Sequence, residues 1–123
     1  MNSWKNRPFA ARLGCALRGF AQALGSERSL KLQLLTLAAV VAALLKLRPG
    51  PVWWALVLAS SATVLAAELL NSALEQLADA LHPTQSAAIG QVKDCAAAAV
   101  LIASLGAVAV AVALAVHLLG RGG

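Results

Sequence analysis

Three long stretches of this chain carry almost no charge, and they decide what it can fold into. A hydrocarbon core of about 30 Å is crossed by roughly 20 mostly apolar helical residues. The first stretch, Leu30 to Leu45, has Lys31, Gln33 and Thr36 as its only polar residues and is closed by Lys46 and Arg48. The second follows Pro49-Gly50-Pro51, is uncharged from Val52 to Ala67, and continues as an apolar pattern through Glu68, Asn71 and Glu75 toward Leu81. The third, Ala96 to Val116, is interrupted only by Ser104 and Gly106. With 60% apolar and 12% charged residues, the chain lies far from the balance of a water-soluble domain. Its solvent is lipid. The sequence predicts an all-α membrane protein, a single domain over residues 1–123, with spans at about 28–48, 52–81 and 90–119.

Ahead of the first span, Lys5, Arg7, Arg12 and Arg18 break up any apolar run that a signal peptide would need, so the N-terminus is expected to stay in the mature protein. Phe9, Leu13, Ala16, Leu17, Phe20 and Leu24 recur there at helical spacing, which predicts an amphipathic helix over about 4–25. Its apolar face suits the membrane surface or the side of the bundle. Six basic residues, from Lys5 to Lys31, precede the first span, against Lys46 and Arg48 in the turn after it. The positive-inside rule then puts the N-terminus and the His82–Gly90 connection in the cytoplasm of a cell whose inner membrane holds the chain. The formal charge of +5 suits an anionic membrane surface, and there is no aromatic-and-basic module for nucleic acid. Cys15 and Cys95 are the only cysteines, with no disulfide expected between them and no His/Cys run for a metal.

The informative segment is ELLNSALEQLAD, Glu68 to Asp79. At about 100° per residue, Glu68, Asn71, Ser72 and Glu75 share one helix face, and Asp79 continues it a turn later. A carboxylate at membrane depth costs about 2.5–3.5 kcal/mol even on lenient insertion scales, so something must hold these groups ionised or they must carry protons. Glu27, Arg28 and Lys31 at the start of the first span, and Lys93 and Asp94 at the start of the third, are expected at the same depth. Carboxylates and a lysine at the rim of a bundle suit a hard divalent cation carrying a polyphosphate, and Mg²⁺ best. On the residues alone, three other readings stay open: helix-to-helix hydrogen bonding, a proton-coupled transporter using Glu68, and a non-catalytic scaffold. No GxxxxGK[ST] loop and no protein-kinase signature is present.

ELLNSALEQLAD, followed after a short loop by VKDCAAAAVLIAS, closely resembles the two-part pattern of the prokaryotic diacylglycerol kinase family, which includes the undecaprenol kinases. The resemblance runs back through SERSLKLQL, Ser26 to Leu34, and RGF, Arg18 to Phe20. It implies a homotrimer that uses MgATP to phosphorylate a membrane lipid alcohol, diacylglycerol before undecaprenol, at sites between subunits near the cytoplasmic face. By the same resemblance Glu68 is the general base, and Glu27 and Glu75 bind the metal with ATP. Asn71, Lys93 and Asp94 fall at the family's other polar site positions, and Thr84, Gln85 and Ser86 where it contacts nucleotide. The chain departs from the Gram-negative type in reading ERSLKLQ after Ser26, in having Cys15 where an aromatic residue is common, and in having Pro8 at the basic nucleotide contact. Arg7 or Arg12 is expected to replace that contact.

Overall fold

A computed structural model describes residues 6–81, 84 and 86–122. Lys5, His82 and Gln85, which the sequence reading used, lie outside the described residues, as does the expected start of the amphipathic helix at about residue 4. Four helices make up the rest: α1 Phe9–Ser26, α2 Arg28–Leu47, α3 Pro51–Leu81 and α4 Ala87–Gly122. There is no strand among the described residues. Helices α2, α3 and α4 are each long and apolar enough to cross a membrane.

Local chemistry sets where each helix stops. Ser26 turns its hydroxyl back onto the carbonyls of Gln22 and Ala23, at 3.1 and 3.5 Å, which competes with helical bonding and ends α1. Glu27 is then the single extended residue between α1 and α2, with φ −108° and ψ 114°. It makes no side-chain cap of its own, so its carboxylate is free to reach elsewhere. Arg48 ends α2 in the left-handed conformation, φ 51° and ψ 56°, donating its N–H to the Leu44 carbonyl at 2.9 Å. Pro51 occupies the first position of α3, where the missing N–H costs nothing. The fourth helix starts earlier than the apolar pattern suggested. Ser86 caps it, its Oγ accepting the Ile89 N–H at 3.2 Å, so Ala87 to Ile89 are helical and the connection from α3 is correspondingly shorter than His82–Gly90.

Helices α3 and α4 form the principal packed pair, α2 lies against α3, and α1 touches α2 and α3, its last turn lying near the later half of α3. The buried apolar residues are few: Leu30 and Leu44 of α2, Val57, Val64 and Ala78 of α3, and Ala96 of α4, together with Ala23 of α1. An apolar cavity of about 410 Å³, walled by Leu44, Val57 and Val64 among others, separates part of α2 from α3 and α4. Leu101, Ile102, Leu105, Val108, Val112 and Val116 of α4 all point outward. In water such a surface would be untenable. In lipid, backbone groups satisfied within each helix and close contact between small side chains are enough to hold the bundle.

A candidate site at the membrane boundary

All five acidic side chains of the chain sit at one end of the bundle. Glu27 joins α1 to α2, Glu68, Glu75 and Asp79 occupy the later half of α3, and Asp94 lies near the start of α4. Helix lengths put Glu68 near one edge of an apolar layer about 30 Å thick. Counting about 1.5 Å per residue from Pro51, a 30 Å layer ends near Asn71, within a turn of Glu68. Separately, Ser29 in the first turn of α2 donates its hydroxyl to Glu68 Oε2 at 3.1 Å, and α2 is itself only 20 residues long. Such a helix measures about 30 Å, so its first turn marks the same boundary. Glu75 and Asp79 lie roughly 10 and 16 Å further along α3, beyond that layer.

The polar face of α3 divides between two neighbours. Toward α2, Glu68 meets Ser29, and Ser72 donates its hydroxyl to Glu27 Oε1 at 2.9 Å. Ser72 is only 6% exposed, the one polar residue buried in the described chain, and its Oγ also accepts Gln76 Nε2–H at 3.3 Å. Ala23, Glu27, Ser29, Leu30, Glu68, Leu69 and Ser72 wall a common crevice, so Glu27 and Glu68 belong to one locale. Toward α4, Asn71 donates from Nδ2 to Glu75 Oε1 at 3.4 Å, and Lys93 pairs with Asp79 Oδ1 at 2.7 Å. Asn71 also borders an apolar groove of about 780 Å³ between α3 and α4, lined by Ala66, Leu70, Val92, Ala99 and Ile102 among others. Its Oδ1 is buried without a hydrogen-bond partner. A buried amide oxygen left this way costs about 1–3 kcal/mol unless something donates to it, which makes it an acceptor waiting for a hydroxyl.

The remaining expected residues are spread around this centre. Asp94 is exposed beside the Lys93–Asp79 pair in sequence, and Thr84 and Ser86 are exposed in the short α3–α4 connection. Arg7 places a guanidinium N–H on Cys15 Sγ at 3.5 Å, and Arg18 places another at 3.2 Å. Arg12 donates its backbone N–H to the Pro8 carbonyl at 3.1 Å. Ser29 was not singled out by the sequence, and Ser72 was placed on the right face without a partner. The signal for Ser72 was its position four residues after Glu68, one helical turn away on the same face.

No group of three or more His, Cys, Asp or Glu side chains converges among the described residues. A protein-only metal cage is therefore not built here. The donors stand on two sides of α3: Glu27 is anchored on Ser72, while Glu75, three residues further along α3, accepts from Asn71. Mg²⁺ commonly takes only one or two carboxylates and completes its coordination with phosphate oxygens and waters, so single carboxylates such as these are of the donor type it uses.

Fold and site together define a small all-helical protein with three helices able to cross a membrane and its acidic side chains gathered at one end of them. The profile of the prokaryotic diacylglycerol kinases matches residues 14–115, and the chain belongs to that family of small membrane lipid kinases. No individual curated protein matches it closely enough to narrow the lipid further.

Proposed function

We propose that the chain phosphorylates diacylglycerol, transferring the γ-phosphoryl group of ATP to the lipid hydroxyl at the crevice between α1, α2 and α3. The observation that carries this reading is the Ser29–Glu68 pair at the hydrocarbon edge, with further carboxylates and Lys93 displaced toward water. A lipid hydroxyl resides at that depth, and a nucleotide reaches it from the aqueous side. The family sets aside the transporter and the scaffold, which the residues alone had left open.

In this reading Glu68 accepts the proton of the attacking hydroxyl, and Ser29 fixes which carboxylate oxygen is turned toward it. Asn71 donates to Glu75 from its nitrogen and accepts from the lipid headgroup with its unpartnered oxygen. Glu27 and Glu75 hold the metal, and Ser72 keeps Glu27 aimed at it. A bound Mg²⁺ would supply positive charge against that developing on the phosphates. Lys93 and Asp94 bind nucleotide from α4, Thr84 and Ser86 contribute from the α3–α4 connection, and Gln85, outside the described residues, is assigned the same role. Arg7 and Arg12 reach toward the same nucleotide from the N-terminal segment. The apolar groove between α3 and α4 suits an acyl chain, and α1, whose Phe9, Leu13 and Leu17 are exposed, lies on the membrane and covers the site. The N-terminus faces the cytoplasm of the inner membrane, where ATP is available.

The test is phosphoryl transfer from labelled ATP, with Mg²⁺, in mixed micelles holding diacylglycerol or undecaprenol separately. Preferential labelling of diacylglycerol is expected. Preferential labelling of undecaprenol would move the chain to the other branch of the family, and labelling of neither would refute the reading.

A further inference from the structure

The end of the bundle opposite the acidic site has cations and no acidic side chain to oppose them. Lys46 and Arg48 close α2 and Arg121 closes α4, all exposed, while every Asp and Glu of the chain belongs to the other end. Two contacts hold these segments together. Arg121 donates from Nη1 to the Arg48 carbonyl at 3.5 Å, which ties the end of α4 to the α2–α3 turn. One turn before Arg121, His117 packs against Trp53, with ring centroids 5.2 Å apart and planes at 32°. Helix ends offset little of the resulting charge. The C-termini of α2 and α4 contribute roughly −0.5 each and the N-terminus of α3 roughly +0.5, against three full positive charges.

Among the described residues these cations share one end of the bundle with no acidic side chain, an arrangement that suits an anion. Depth identifies its source, because Trp53 and Trp54, half-buried in the first turn of α3, sit at one edge of the apolar span and mark the headgroup level. A cation cluster at that level faces lipid phosphates. We propose that Lys46, Arg48 and Arg121 form a binding site for the headgroup of an anionic phospholipid in the leaflet opposite the acidic site. The bound lipid neutralises the junction of α2, α3 and α4. This site stands apart from the kinase reading, since no phosphoryl transfer is involved in it.

Fluorescence quenching tests it directly, because the chain has three tryptophans and Trp4→Phe leaves only Trp53 and Trp54. The full-length protein is reconstituted in phosphatidylcholine vesicles containing equal mole fractions of either brominated phosphatidylglycerol or brominated phosphatidylcholine. The anionic lipid is expected to occupy the tryptophan environment on the order of fivefold more than the zwitterionic one, the effect of a single basic residue near an anionic surface. Combined Lys46→Gln, Arg48→Gln and Arg121→Gln should bring the two lipids to parity, whereas Arg48→Lys with Arg121→Lys should retain the preference. Parity in the protein with its cations intact would overturn the proposal without needing any charge-removing variant. So would a preference that survives the triple substitution, or one abolished by inorganic phosphate at constant ionic strength, which would assign the site to a soluble anion.

Discussion

At the scale of single residues, two serines organise the acidic end. Each carboxylate nearest the boundary accepts a hydroxyl from another segment: Glu68 from Ser29, and Glu27 from Ser72. The second pair is the more constrained, because Ser72 is buried and its oxygen also accepts from Gln76. Removing a group that orients a metal-binding carboxylate typically lowers metal affinity by about 10–100-fold. Ser72→Ala is therefore expected to raise the Mg²⁺ concentration needed for half-maximal transfer by about that factor, with Ser72→Thr retaining most of the affinity. A magnesium titration of lipid phosphorylation measures this, and an unchanged half-saturation point would show that Glu27 needs no help from Ser72.

At the scale of helices, α3 does most to shape the site, presenting Glu68 and Ser72 to α2 and Asn71 and Asp79 to α4. The existence of three apolar spans was legible because charge-free length is a property of sequence alone. The gathering of acidic groups at one end was legible for a similar reason, since alternating helix direction follows from short connections. The pairings were not. Whether Ser29 faces Glu68 depends on how α2 is rotated about its axis, and the polar residues of its first turns, Arg28, Ser29, Lys31 and Gln33, fall on more than one face and leave that rotation open. Helix α4 starts at Ala87, ahead of the span expected from about residue 90, because Ser86 caps three weakly patterned residues, Ala87 to Ile89. Helix α1 belongs to this scale too. Its exposed Phe9, Leu13 and Leu17 suit lipid, and deletion of residues 1–12 is expected to lower lipid-kinase activity. Full activity after that deletion, in the micelle assay, would remove the covering role from this part of the helix.

At the scale of the whole molecule, the apolar flank of α4 and the incomplete donor set for a metal favour assembly of several copies around shared sites. We expect a homotrimer, which native mass spectrometry in detergent will show as a species of three chains; a monomer alone would contradict it. The two ends of the bundle then have separate work, with lipid and nucleotide meeting at the acidic end. What unites the account is the proposal that Glu68, paired with Ser29, lies deep enough to meet a lipid hydroxyl and close enough to water for a nucleotide to approach. The most direct measurement is the rate of labelled phosphate transfer to diacylglycerol by Glu68→Gln beside the unaltered chain, with thermal unfolding followed in parallel. Loss of a general base predicts a fall of about 10²–10⁴-fold in turnover with the fold retained. Turnover equal to that of the unaltered chain would contradict the assignment of Glu68 and, with it, the placement of the reaction at this boundary.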